Sequence, residues 1–229
     1  MRDLSKWTPC PRPQRQVMEG RYCRLEPLHA ERHGSGLYDV ATAADADERF
    51  RWLPETRPES RSQFQSWLQQ AEQSADPLYF VVIDVASGTI GGRQTLMRHD
   101  PANGVIEIGH IFWGSKIAQR PVTTEAFYLF AKWVFDVAGY RRFEWKCNNA
   151  NAASKRAAER FGMTHEGLFR QAAIVKGENR DTAWFSLLDH EWPNMRAAFE
   201  AWLAPDNFDH EGWQRQKLQA FKAQGQDGS

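Results

Sequence analysis

One stretch limits what this chain can fold into more than any other. Residues Glu107 to Asp136 read EIGHIFWGSKIAQRPVTTEAFYLFAKWVFD. Val105 to Trp113 is rich in β-branched and aromatic residues and predicts a strand. Gly114 to Pro121 predicts a loop, and from Val122 to Gly139 the periodicity is helical. Thr124, Glu125, Tyr128, Lys132 and Asp136 recur at spacings of three and four as a narrow polar stripe. Ala126, Phe127, Phe130, Ala131, Val134 and Ala138 form a wide apolar face, so the helix must lie on a sheet. A helix start carries unpaired amide donors and the positive end of the helix dipole. This connection is therefore either an ordinary strand-to-helix link or a holder for a phosphate, and the stretch alone leaves both open. Strict alternation puts Glu107, Gly109, Ile111 and Trp113 on one face of the strand. Ile106, Ile108, His110 and Phe112 fall on the other, and a bulge at Gly109 would reset the pattern.

The rest of the chain supplies the sheet. Three prolines (Pro9, Pro11 and Pro13) make residues 1–19 an extended arm. Gly20 to Pro27 predicts a first strand, with Leu25 inward and Tyr22 at the surface. Helices are expected at His29–Val40, Ala43–Leu53 and from Glu59 or Ser60, the last with Phe64, Trp67, Leu68 and Ala71 on one side. Leu78 to Val85 is almost continuously apolar, as a strand buried on both faces requires. Ile90 to Arg98 returns after a turn, with Gly91 and Gly92 permitting a bulge or close approach. Arg141 to Cys147 alternates after the central helix and predicts a parallel partner for the Val105–Trp113 strand. Asn151 can cap a helix that ends at Gly162. Thr164–Val175 and Asp181–Leu188 predict two more strands, Glu191–Leu203 a helix, and Asp206–Phe221 one more. The expected units are an arm (1–19), one domain (20–193) and a C-terminal helical extension (194–229), which forms a homodimer contact or covers the core. The fold class is α/β of the α+β type, a mostly antiparallel mixed sheet flanked by helices.

Charge and cysteine usage narrow the partners. Lysine plus arginine equals aspartate plus glutamate, 29 each, which gives no support for a nucleic-acid or membrane surface. Cys10, Cys23 and Cys147 are widely spaced and odd in number, so a reducing cytoplasmic setting without a metal site is expected. There is no apolar run of about eighteen residues and no signal-peptide core in MRDLSKWTPCPRPQ.

Two further motifs make the order of elements recognisable: GRYCRLEPL at Gly20–Leu28, and WKCNNANAASKRAAERFGMTHEGLFRQ at Trp145–Gln171 with KGENRDTAWFSLLDHEWP after it. Together with EIGHIFWG and TTEA they resemble the GNAT superfamily of N-acetyltransferases, most closely its ribosomal-protein N-acetyltransferase-like (RimJ/RimL-like) branch, over Gly20 to Pro193. The resemblance implies a GNAT-like splayed sheet that binds acetyl-CoA as co-substrate between the strands Val105–Trp113 and Phe143–Cys147. On the first strand Ile111, Phe112 and Trp113 would meet the cofactor. The family's pyrophosphate loop, Gln-x-x-Gly-x-Gly/Ala, corresponds here to Ala118-Gln119-Arg120-Pro121-Val122-Thr123. Neither glycine is present and Pro121 has no amide to donate. Gln119, Arg120 and the amides of Val122 and Thr123 are what remains, so the site is modified, weakened or turned to another use. Asn151 and Ser154 match the family positions that meet the cofactor arm and the departing thiol, and as plain structure they would be a cap and a cap-turn serine.

The implied reaction is direct acetyl transfer to an amine, a peptide N-terminus or a small molecule. It needs a neutral amine, a polarised carbonyl and a protonated leaving thiolate. Glu107 is the candidate base, or else a strand carboxylate paired with a neighbouring cation. His110 has a suitable intrinsic pKa, but alternation places it with Ile106 and Ile108, as a core histidine. Cys147 reads as a small buried residue. The tyrosines many acetyltransferases use as acid are replaced by Ala158 and Phe185, which leaves Ser154 to hydrogen-bond the thiolate. Two other readings stand beside this one: a catalytically weak acyl-CoA-binding or sensing protein, and a small-amine detoxifier whose acidic wall would be Asp45, Asp47 and Glu48.

Overall fold

The computed structural model describes residues 3–223. One sheet of eight strands runs through the molecule in the order β1-β2-β3-β4-β5-β6-β8-β7. The strands are β1 (Met18–Glu19), β2 (Cys23–Pro27), β3 (Leu78–Asp84), β4 (Ile90–Asp100), β5 (Val105–Trp113), β6 (Arg142–Asn148), β7 (Thr164–Val175) and β8 (Glu178–Leu188). Every neighbouring pair is antiparallel except β5 and β6. The helices α1 (Ala30–Ala41), α2 (Ala46–Phe50) and α3 (Arg61–Gln73) cover one face. On the other lie α4 (Pro121–Lys132), prolonged by a π turn at Trp133–Val137, with α5 (Ala152–Arg160), α6 (Trp192–Trp202) and α7 (Leu218–Ala223). The end of the arm is itself a strand, since Met18 and Glu19 pair with Leu25 and Arg24. The two final strands meet in a turn of two residues, Lys176 and Gly177, both at positive φ, so β8 begins three residues earlier than the sequence suggests.

β3 divides the core as its continuous apolar run requires. Leu78, Phe80 and Val82 pack on the α4 side, and Tyr79, Val81 and Ile83 on the α1–α3 side. The expected bulge near Gly91 is present, because the register steps from Val82 opposite Gly92 to Ile83 opposite Ile90. A Cβ at Gly92 would collide with the Phe112 carbonyl, so the close approach also needs glycine.

The first half of the polar stripe of α4 does not face water, while Lys132 and Asp136 are exposed. Thr124, Glu125 and Tyr128 are buried, and each is satisfied by a partner from a distant part of the chain. Thr124 Oγ1 accepts from Arg160 at 2.9 Å, and Tyr128 donates to Glu200 at 2.9 Å. Glu125 accepts three backbone amides, from Arg21 at 2.9 Å, Tyr22 at 2.6 Å and Cys23 at 2.6 Å. This clasps the turn between β1 and β2 onto the start of the central helix. Gly20 is required beside it, since a Cβ there would collide with the carboxylate. The C-terminal segment covers the core: Trp202, Leu203 and Leu218 are buried, and Trp202 and Tyr22 pack edge-on against Phe208.

Glu125→Ala leaves three donors without a partner. It is expected to cost on the order of 3 kcal/mol and to lower Tm by roughly 6–12 °C in thermal unfolding.

Candidate active site

The parallel pairing of β5 with β6 lasts four residues, from Val105 opposite Arg142 to Ile108 opposite Trp145. β5 then continues to Trp113 while still paired with β4, and β6 to Asn148 while still paired with β8. The sheet stays intact on both sides and opens between them. Two helices start just past the carboxyl ends of these strands, where open parallel sheets place ligands. They are α4 at Pro121 and α5 at Ala152.

On the α4–α5 side the opening is aromatic. Trp113 and Trp145 face each other edge-on at 6.4 Å, and Trp113 donates to Gln94 at 3.2 Å. Trp145 Nε1 donates to Ser154 Oγ at 2.9 Å, and the serine hydroxyl lies against the Cys147 thiol. Asn151 caps α5, its Oδ1 accepting from the Ser154 amide at 3.0 Å. The expected pair is therefore brought together with Trp113 and Trp145, while Ile111 and Phe112 lie on opposite faces of β5. Cys147 is next to Ser154, but burial pushes its thiol up and the serine only partly opposes this, so it is no thiolate nucleophile. Ala158 and Phe185 are fully buried.

The loop before α4 leaves two backbone amides open. The amides of Gln119 and Val122 carry no hydrogen bond among the described residues, and Gln119 has a φ of 61°. Thr123 turns both its amide and its hydroxyl to the Arg120 carbonyl, at 3.3 and 3.1 Å. Arg120 lies over the Trp213 ring at 4.8 Å and donates to the Glu211 carbonyl at 3.3 Å, so the C-terminal segment reaches this loop. Two free amides at a helix start and one guanidinium fit a phosphate without the glycines.

On the α1–α3 side the bulge falls differently from the alternation. Thr95 is opposite Gly109 and Arg93 opposite Phe112, so β5 has an extra residue, and His110 takes a φ of 46°. His110 and Phe112 are thereby moved to the face of Tyr79 and Val81, and the core position beside Ile106 and Ile108 is overturned. His110 Nδ1 bonds Glu55 Oε1 at 3.1 Å, and Arg93 bonds the same oxygen at 3.3 Å. Arg93 also donates to the His110 carbonyl at 3.0 Å and stacks on Trp67 at 4.6 Å. Burial pushes the Glu55 carboxyl up, but Arg93 and His110 outweigh it and hold it at about 2. Beside Glu55 is a cavity of about 300 Å³ lined by Phe50, Phe64, Trp67 and Arg93. Glu55 and Arg93 carry no local signal in the sequence. Only the tertiary fold joins the segment after α2 to β4 and β5.

Glu107 is buried and lies directly opposite Glu144. Its Oε2 is bound by Lys146 at 2.7 Å and approached by Arg98 at 3.4 Å, and Lys146 also holds Glu144 at 2.7 Å. Burial pushes the Glu107 carboxyl up against these two cations. Asp45 pairs with Arg49 and Asp47 with Arg57, so two of the three acids of the imagined wall are already neutralised. Among the described residues no cluster of His, Cys, Asp or Glu could hold a metal.

Comparison with known proteins agrees with this geometry. Residues 24–164 match the model of the acetyltransferase (GNAT) domain. A GCN5-related N-acetyltransferase from Brucella melitensis is 58% identical, with a TM-score of 0.95 over 96% of this chain and 100% of that one. A GNAT-family acetyltransferase from Chromobacterium violaceum is 36% identical, with a TM-score of 0.78 over 84% of this chain and 96% of the other. The Microcin C7 self immunity acetyltransferase, solved with acetyl-CoA and AMP, shares the fold at 21% identity and a TM-score of 0.66, over 74% of this chain and 93% of that one. The curated proteins contain no match.

Glu55 makes a pH test available. Its folded pKa of about 2 is below the usual 4.5, so it contributes stability that is full above about 4.5 and is lost as pH falls toward 2. Glu55→Gln should flatten acid unfolding across that window, by on the order of 3 kcal/mol between its ends. Parallel acid-unfolding slopes in the two proteins would contradict this.

Proposed function

Because this chain belongs to the acetyltransferase (GNAT) domain family and so transfers acetyl groups from acetyl-CoA to amines, we propose that it does so in the opening between β5 and β6. The observation that carries this is the coincidence of three features: the parting of the parallel pair, and the starts of α4 and α5 beside it. The amides of Gln119 and Val122, with Arg120, would hold the pyrophosphate. Thr123 contributes to the turn rather than to the ligand, as its bonds to Arg120 support. Ile111 and Trp113 would form one wall of the opening on the α4 side and Asn151 and Ser154 the other, while Phe112 faces the α1–α3 side.

Acetyl-CoA supplies the activated acyl group. The chain's own part is to bring the amine to it, to keep water from competing, and to handle two protons. Ser154 accepts from Trp145, and its own proton would turn from the Cys147 thiol to a thiolate at the start of α5. A serine is too weak an acid to surrender that proton for good, so solvent replaces it. The two cations on Glu107 Oε2 support its ion-pair reading over the base reading.

The acceptor in this proposal is a primary amine with an apolar part, as a small molecule or a peptide N-terminus. The aromatic cavity beside Glu55 supports the apolar part, and the pairing of Asp45 and Asp47 with arginines weighs against a polycationic acceptor. Kinship with the ribosomal-protein N-acetyltransferase-like branch rests on the Asn151–Gly167 motif. A cytoplasmic setting is supported by three unpaired, buried cysteines, and no helix among the described residues is long and apolar enough to cross a membrane. The transferase unit is taken as residues 20–193. The burial of Trp202 and Leu218 favours a covering role over a homodimer contact for the C-terminal extension.

Release of free CoA with a panel of amines tests the reading. Ser154→Ala should lower kcat about 10- to 100-fold with acetyl-CoA affinity preserved. Arg120→Ala should weaken acetyl-CoA binding several-fold with little effect on kcat, a charge-assisted phosphate contact being lost. Unchanged kinetics in both variants would remove these residues from the site.

A further inference from the structure

Four observations meet at His110. It stands two residues past the last β5–β6 pair, where the sheet opens. It is a non-glycine residue at positive φ, a strained conformation that persists only where the surroundings enforce it. Its Nδ1 is bonded to Glu55, whose carboxylate is fixed in turn by Arg93. Its Nε2 has no hydrogen bond among the described residues, and the side chain keeps 19% of its surface exposed.

We propose that His110, oriented by Glu55, is the base that takes the proton from the attacking amine. This rests on the transfer reading above and assigns its missing proton acceptor. An ionised Glu55 can only accept, so Nδ1 must donate and the neutral ring keeps its lone pair on Nε2. Glu55 stays ionised at neutral pH because Arg93 and His110 outweigh its burial. The other titratable group against the ring is Tyr79, at 5.7 Å between ring centres, and burial pushes its hydroxyl up to about 12. Arg49 and Lys176 are tied to the carbonyls of Trp113 and Phe50 rather than to the imidazole.

The step balances simply. The nitrogen of a neutral amine forms a bond to the thioester carbon, and one of its protons passes to His110 Nε2. The carbon–sulfur bond breaks, and the thiolate takes a proton from solvent through Ser154. His110 then returns its proton to solvent.

His110→Gly is the informative variant, because glycine adopts a φ of 46° without strain and the backbone is kept. It should lower kcat by about 10² to 10⁴ and leave acetyl-CoA affinity unchanged. Added imidazole should restore part of the rate with a pH dependence that tracks imidazole ionisation. Glu55→Gln should lower kcat without weakening acetyl-CoA binding, since the carboxylate that orients the ring is gone. Nitrogen NMR of the wild-type protein should show the neutral ring protonated on Nδ1, whether or not an acceptor is known.

Wild-type kinetics in His110→Gly, a loss that imidazole does not restore, or a ring protonated on Nε2 would each overturn the assignment. Failure of the transfer reading shows differently, as a wild-type protein that releases no CoA with any amine.

Discussion

The structure turns on a pairing that stops early. β5 and β6 are hydrogen-bonded over four residues and then separate, while each remains bonded to its outer neighbour. Backbone donors and acceptors along the parted edges are freed by this, and buried backbone groups need partners. A protein keeps such an opening only if the strands are held apart by something rigid. Here the indoles of Trp113 and Trp145 face each other across it, anchored by Gln94 and Ser154. The β5 bulge adds to the divergence, because an extra residue bends the strand and increases its twist.

Below the opening, charge holds the strands together. Two glutamates directly opposite each other on parallel strands would repel, and Lys146 lies between them with bonds of 2.7 Å to both. Removing the lysine would leave buried carboxylates uncompensated, the costly case for an interior ion pair. Beside the opening, Glu125 ties the first turn of the sheet to the first turns of α4. The helix start that would meet a phosphate is thus fixed from the side of β2, and the C-terminal segment meets the same loop at Arg120.

Much of this is readable in the chain because it is periodic. The continuous apolar run of β3, the polar stripe of α4, the alternation of β6 and the Asn151 cap each come from residue order, and the structure contains all four. Long-range placement is not readable. Alternation puts His110 in the core, and one inserted residue moves it to the opposite face. Gly109 hints that a bulge can occur, but not which way the next side chain turns. Glu55 comes after Pro54 in a segment without regular structure, so nothing local marks it as the partner of a residue 55 positions later. The polar stripe of α4 is legible as a pattern, but the burial of Thr124, Glu125 and Tyr128 is not, because Arg160, Glu200 and the Gly20–Cys23 turn come from elsewhere. Cationic partners of Glu107 are foreseeable as a type, and their identities need the sheet register.

Amide hydrogen exchange with and without acetyl-CoA tests most directly whether the parting of β5 and β6 is the cofactor site. Added protection is predicted to be confined to residues 109–113 of β5, 117–123 before and into α4, and 146–154 from the end of β6 into α5. Protection elsewhere, with these three segments unchanged at saturating acetyl-CoA, would show that the cofactor does not occupy the opening.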